Sequence, residues 1–277
     1  MKILITGAKG MLAYALIKTL RPKNKLILTD LDNMDITKPK EIIDFFNKTK
    51  PELVIHTAAY TDVDGAETNN ALAIKINRDG AGNIARAAKR LDIPIVYIST
   101  DYVFGGKKNK PYLENDRTRP LSVYGLSKSA GEKEIRKINA KHYLVRSAWL
   151  YGPQGKNFVL TVLRLAGELP GLKIVNDQKG CPTYTLDLAG AIKKLIITEK
   201  FGTYHITNSS SCTWFQFAKE ILKIKKIKKK IIPITSKELS RPAPRPKYSV
   251  LDNKKARRLG LKLRPWQKAL KDYLKTI

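Results

Sequence analysis

Cysteine is nearly missing from this chain of 277 residues: only Cys181 and Cys212 occur, without a close His or Cys partner in the sequence. No zinc-ligand spacing can be built from them, and a disulfide is not expected in a reducing compartment. Both read as structural or pocket-lining thiols. No apolar stretch approaches the ~20 residues of a membrane-crossing helix, so a membrane partner is not expected. From Met1-Lys2 the chain enters Ile3-Leu4-Ile5-Thr6-Gly7, too short for a signal-peptide core and ending in a glycine turn, so the expected address is cytoplasmic. Histidine is scarce. His56 lies inside an apolar run and reads as a core histidine, and neither His142 nor His205 has a partner constellation. Acidic residues are outnumbered, 24 against 53 basic, for a net charge of +29. Such a balance suits anionic partners, nucleic acid or phosphates. The densest run, Lys219 to Lys230, carries Ile221, Leu222, Ile224 and Ile227 near helical spacing. Its lysines therefore read as the solvated side of a core-packed helix. No nucleic-acid motif accompanies them, so a nucleic-acid partner is not expected.

What is present is a globular composition, 43% hydrophobic, enough for a sizeable core. The first half alternates β-branched runs with helix-like stretches. Strands are predicted at 2–6, 25–29, 53–57, 93–99 and 143–147, and helices at 10–20, 39–48, 71–91 and 123–138. Buried strands alternating with helices predict an α/β fold, a Rossmann-like, doubly wound parallel sheet covered on both faces. The second half predicts helices at 157–167, 187–198, 213–224 and 264–275, with short strands and a proline-dense loop, Arg241-Pro-Ala-Pro-Arg-Pro-Lys247. The expected organisation is a mainly cofactor-binding domain over 1–150 and a smaller C-terminal substrate-binding lobe over 151–277, with segments interspersed between the two.

Gly7-Ala8-Lys9-Gly10-Met11-Leu12-Ala13 follows the first strand and opens the first helix. The Gly-x-x-Gly-x-x-Ala spacing supplies a tight turn, close backbone approach and a helix N-terminus for a pyrophosphate. Asp30 ends the second strand, where a carboxylate can accept the hydroxyls of an adenine ribose or, more plainly, cap a turn. With Asp32 and Asp35 nearby the site tilts toward NADH, while Lys9 keeps NADPH open. Ala58 and Ala59 close the third strand with small side chains that admit a flat cofactor.

Tyr124-Gly-Leu-Ser-Lys128 starts a helix, and positions four apart share one face, so phenol and ammonium can enter the same cleft. A fixed ammonium and a positively charged nicotinamide ring nearby would lower the phenol from its ordinary ~10 and ready it for proton transfer to a carbonyl. Thr100, at the end of the fourth strand, is placed to bond the same carbonyl oxygen. Ser99 reads as a strand residue that contacts cofactor. Arg241, Arg245 and Lys156 are candidate pyrophosphate clamps; Arg241 and Arg245 read equally well as surface arginines. Trp149 could stack on a sugar or close the core edge.

The chain resembles the extended short-chain dehydrogenase/reductases and, more narrowly, the dTDP-4-dehydrorhamnose reductase family. The resemblance rests on Ala58-Ala59-Tyr60-Thr61-Asp62-Val63-Asp64-Gly65-Ala66-Glu67, Ser99-Thr100-Asp101-Tyr102-Val103-Phe104-Gly105-Gly106, Tyr124-Gly-Leu-Ser-Lys128, Arg146-Ser147-Ala148-Trp149-Leu150-Tyr151-Gly152 and Arg241-Pro-Ala-Pro-Arg-Pro246. It implies Thr100, Tyr124 and Lys128 as catalytic residues. It implies cofactor contacts at Gly10, Met11, Asp30, Asp35, Ile36, Ala58, Ala59 and Tyr60, to which Gly7, Leu12, Ser99, Tyr124 and Lys128 are added as expected contacts. For the substrate it points to Thr100, Asp101 and Trp149, with Asn157 and Arg241 as further candidates. The implied activity is NADPH- or NADH-dependent reduction of the C4 keto group of a nucleotide-sugar, dTDP-4-dehydro-β-L-rhamnose, by a chain for which a homodimer stays open. Some members hold a metal at a subunit contact; no carboxylate set for one is found here, and no metal is expected. Lys9 and Ala13 depart from the usual polar residue and glycine. The alternative is a non-catalytic, regulatory NAD(P)-binding subunit like the methionine adenosyltransferase β-subunit.

Overall fold

The apolar runs Ile3-Leu4-Ile5 and Val54-Ile55 are fully shielded from solvent because the strands that carry them are covered on both faces. The computed structural model describes all 277 residues. Strands β1 (Lys2–Thr6), β2 (Lys25–Thr29), β3 (Leu53–His56), β4 (Ile95–Thr100) and β5 (His142–Ser147) pair in parallel, and Gly202–His205 adds a sixth at the edge of β5. Across the sheet the order is Gly202–His205, β5, β4, β3, β1, β2. The chain reverses its direction of travel between β1 and β3. In such sheets that reversal opens a crevice beyond the carboxyl ends of the strands, and the loops after β1, β3, β4 and β5 all gather there. The Rossmann-like expectation is met.

One face is covered by α1 (Met11–Leu20) and the helix Thr185–Leu195, which bury Leu12, Leu16, Leu188 and Ile192 together. The other is covered by α2 (Pro39–Thr49), Ala81–Arg90 and Val123–Ile138, through Ile42, Phe46, Ile84 and Ile135. A separate core of Val159, Leu172, Phe217, Ile221 and Leu270 joins the helices Phe158–Glu168, Trp214–Ile224 and Trp266–Leu274 to a parallel pair of strands, Gly171–Val175 and Lys230–Ile234. Residues beyond 151 thus build this smaller core and also contribute Thr185–Leu195 and Gly202–His205 to the larger one. In the lysine run, Ile221 and Leu222 are buried and the helix stops at Ile224. No helix is long and apolar enough to cross a membrane.

Two local differences from the sequence-based expectation have physical causes. The fourth strand starts at Ile95 rather than Ile93, since Pro94 has no N–H for the ladder. The single helix expected over 71–91 is instead a short helix, Asn70–Ile74, a π-turn, Lys75–Gly80, and the helix Ala81–Arg90. The wide turn directs the Asn77 amide inward, where it accepts from the Tyr60 N–H (2.9 Å) and donates to the Tyr60 carbonyl (3.0 Å) and the Ser127 hydroxyl (2.9 Å). Single π-turns inside helices often mark functional sites.

Candidate active site

At the carboxyl ends of β1, β3, β4 and β5 lies a cleft of about 1210 Å³. Gly7 opens it. Its φ of +66° and an approach that would bring a Cβ to 2.8 Å from the Ala58 backbone leave room only for glycine. Gly10 is the N-cap of α1 and offers no side chain to the amides of the first turn. Those amides remain available to an anion. Asp30 is tied into this loop, its carboxylate accepting from the amides of Lys9 (2.9 Å) and Leu31 (2.8 Å). It therefore caps the turn and also faces the cleft. Lys9 leans on Asp32 at 3.2 Å with both side chains mostly exposed.

Thr100 and Lys128 are buried at the inner end of the cleft, and the half-buried Tyr124 joins them there. Ser122 caps their helix by accepting from the Gly125 N–H at 3.2 Å. The Lys128 ammonium donates to the Ile98 carbonyl (2.8 Å) and lies 4.2 Å from the centre of the Tyr97 ring. Burial lowers the Lys128 amine to about 7, against the opposing pull of the Glu132 carboxylate. Burial raises the Tyr124 phenol to about 12, and its hydrogen bond with Thr100 acts the other way. In the chain without cofactor desolvation sets the direction, whereas the expected lowering of the phenol calls on the nicotinamide ring as well as the ammonium. Thr100 donates to the Asp101 carboxylate (3.1 Å) and accepts from the Tyr102 N–H (3.2 Å). Asp101 is buried and raised to about 7 by that burial, with bonds from Ser249 and Thr100 pulling it down.

The cleft wall brings together Gly7, Gly10, Met11, Leu12, Asp30, Asp35, Ile36, Ala58, Ala59, Ser99, Thr100, Tyr124, Lys128 and Trp149. It does not include Tyr60, Asp101, Asn157 or Arg241. Tyr60 is anchored behind it through its backbone to Asn77. Asp101 sits directly behind Thr100. Asn157 caps the helix Phe158–Glu168 by accepting from the Leu160 N–H (3.1 Å), and its amide donates to the Gly152 carbonyl and the Tyr273 hydroxyl. Arg241 is largely exposed, 3.6 Å from Asp64. Arg245 is not free for a phosphate either, because both of its terminal nitrogens lie 2.9 Å from Asp64 oxygens in a bidentate pair. Lys156, by contrast, reaches the wall. Ser99 lines the wall as well, and its hydroxyl donates to Glu132 at 2.6 Å.

Trp149 holds a φ of +49°, a left-handed conformation rare for so bulky a residue. Its ring stacks on Trp214 with centroids 3.5 Å apart and planes 5° from parallel. Trp214 is itself fixed by its indole N–H donating to Gln178 (3.1 Å). His56 and His205 are buried core histidines, each pushed down to about 3, mainly by desolvation. Both cysteines are buried free thiols. No cluster of His, Cys, Asp and Glu is close enough to hold a metal ion.

The sequence reading missed a buried polar network behind the cleft. Glu132 bonds Ser99, Arg146 and Arg136, and Arg146 also reaches the Glu114 carbonyl and His205. One signal for it was available: Glu132 follows Tyr124 and Lys128 at the same spacing of four, so it belongs on the same inward face. The Ser147 and Thr29 hydroxyls, on residues of the cleft wall, are buried without a hydrogen-bond partner in the chain. Buried hydroxyls are seldom left unpaired. Together with the glycine turn and uncapped helix they fit a dinucleotide laid across the switch point.

Comparison with known proteins agrees with this geometry. The family model described as RmlD substrate binding domain matches residues 1–277. The spore coat polysaccharide biosynthesis protein SpsK of Bacillus subtilis is 38% identical over 99% of this chain and 96% of its own length. A crystal structure of a dTDP-4-dehydrorhamnose reductase from Clostridium acetobutylicum is 44% identical, with a TM-score of 0.97 and coverage of 100% of this chain and 99% of that one. A dTDP-4-dehydrorhamnose reductase from Bacillus anthracis, solved in complex with NADP, is 39% identical with a TM-score of 0.97, over 100% of this chain and 99% of that one. Matched from end to end in sequence and in fold, the chain is an oxidoreductase of the dTDP-4-dehydrorhamnose reductase family.

Proposed function

We propose that this chain reduces the C4 keto group of dTDP-4-dehydro-β-L-rhamnose to dTDP-β-L-rhamnose, with Tyr124 as proton donor and NADPH or NADH as reductant. The observation that carries the reading is that Thr100, Tyr124 and Lys128 line the same cleft as the Gly7–Gly10 turn and Asp30. The cofactor, when bound, supplies the hydride that reaches the carbonyl carbon. Gly7, Gly10 and the first turn of α1 would hold its pyrophosphate, Asp30 its adenine ribose, and Ala58 and Ala59 would allow close approach. Lys128 would hold the second ribose.

Thr100 and Tyr124 would bond the carbonyl oxygen of the sugar and orient it. With its phenol raised to about 12, Tyr124 is fully protonated at neutral pH, the state a donor needs. Passing that proton to the oxygen leaves a tyrosinate, which the Lys128 ammonium neutralises. Lys156 on the wall is a cationic candidate for the sugar-nucleotide diphosphate, and Trp149, on the same wall, would contact the sugar. Retention of the complete acid–base set favours catalysis over a purely regulatory subunit. Purified protein should consume NADPH or NADH only when the 4-keto sugar nucleotide is added, and the product should be the 4-hydroxy sugar. No consumption with either reductant overturns the reading.

A further inference from the structure

Burying an ion pair is seldom a source of stability, because removing both charges from water costs about as much as their attraction returns. The pair of Glu132, 0% exposed, and Arg146, 1% exposed, therefore needs another explanation. Its geometry supplies one. Glu132 stands on the helix Val123–Ile138 one turn past Lys128 and two past Tyr124. One of its oxygens receives the Ser99 hydroxyl (2.6 Å) and Arg146 Nε (2.8 Å); the other receives Arg146 (2.7 Å) and Arg136 (2.9 Å) terminal nitrogens. Ser99 and Arg146 are direct cross-strand partners in the β4–β5 ladder, and the next pair along is Thr100 and Ser147. One carboxylate is thus fastened to both strands just where they reach the cleft. Arg146 is held from its far side by the Glu114 carbonyl, His205 and the Phe104 ring, so the anchor is itself rigid.

We propose that Glu132 is a positioning residue of this site: it locks the helix bearing Tyr124 and Lys128 onto the strand ends bearing Thr100 and Ser147, and its carboxylate, one helical turn past Lys128, favours the charged form of that buried amine. The proposal rests on the reductase reading. Around Lys128 stand the Ile98 carbonyl and Tyr97 ring of β4, His56 of β3, and Tyr124 of its own helix. His56 is kept neutral, so Glu132 is the carboxylate that favours the charged amine. Around Glu132 stand Arg146 of β5, Arg136 of its own helix, and Ser99 and Tyr97 of β4. Burial works against its ionisation, but Arg146, Ser99 and Arg136 outweigh it and hold the carboxyl below its usual range.

Glu132→Gln keeps the shape and removes the charge. The Lys128 amine then loses its proton more readily. On this account the alkaline limb of the kcat profile, and of NADPH affinity read by cofactor fluorescence, moves down by about one pH unit or more. Glu132→Asp keeps the charge but shortens the reach, so kcat falls roughly tenfold or more from misplacement while the alkaline limb stays put and KM for the sugar nucleotide changes little. Thermal unfolding checks that each variant is folded; should Glu132→Gln fail to fold, the Glu132→Asp profile decides. A folded Glu132→Gln with the wild-type pH profile, or a Glu132→Asp with wild-type kcat, overturns the proposal. Absent turnover by the wild type would overturn the reductase reading instead, and the fluorescence profile, which needs no sugar, would still decide the role of Glu132.

Discussion

Asp101 is a buried carboxyl one position beyond Thr100, and its burial sets a measurable pH dependence. Its value rises from the ordinary 3.8 to about 7 in the folded chain. The folded state therefore binds this proton more tightly than the unfolded one across that window. Stability is fullest below the unfolded value and is lost as pH climbs toward 7, by at most about 1.4 kcal/mol per pH unit. Asp101→Asn should flatten the slope, as read by urea midpoints at several pH values; an unchanged slope contradicts the assignment. At the opposite end of the cleft, Asp30→Ser should raise KM for NADH several-fold and leave NADPH less affected, since a carboxylate repels a 2′-phosphate. Equal losses with both reductants would assign Asp30 to the turn alone. The place of Tyr124, Lys128, Thr100 and Asp30 on the cleft wall was legible in the sequence because local spacing puts each at or near a strand or helix end. The Glu132–Arg146 and Asp64–Arg245 pairs were not, because they join positions 14 and 181 residues apart through sheet register and loop docking.

Among the elements, the helix Val123–Ile138 carries Tyr124 and Lys128, and it is tightly packed at Gly131. A Cβ there would lie 2.2 Å from the Asn77 carbonyl and 2.4 Å from the Tyr97 hydroxyl. Gly131→Ala must push the helix away from β4 and the π-turn. We expect a loss of about 1–3 kcal/mol, as for other overpacked cores, and a larger fall in kcat than in sugar-nucleotide affinity. Wild-type kcat in a folded Gly131→Ala protein would show that the helix is not the positioning element. The helix itself was readable from its apolar spacing and the serine before it. The break of the 71–91 stretch was not, since it has no proline and its glycines, Gly80 and Gly82, come only at the end of the π-turn and after it. It arises from the Tyr60 backbone, which only the folded chain brings beside Asn77.

For the whole molecule, the layout binds both halves of the chain into one sheet. Gly202–His205 completes the edge beside β5, and Thr185–Leu195 covers α1. Residues 1–150 alone would expose Leu12, Leu16 and the β5 edge, so that fragment should lack the cooperative unfolding of the full chain. A cooperative fragment would contradict this layout. Alternation of strands and helices made the larger sheet readable, whereas the return of Gly202–His205 to it depends on topology that no local pattern encodes. The central proposal is that Tyr124 donates the proton, in a site to which both halves of the chain contribute. The direct test compares Tyr124→Phe with wild type under saturating NADPH or NADH and dTDP-4-dehydro-β-L-rhamnose, with cofactor binding followed by fluorescence. The account predicts a fall in kcat of about 10²-fold or more with cofactor affinity nearly unchanged; a Tyr124→Phe protein that turns over at the wild-type rate would contradict it.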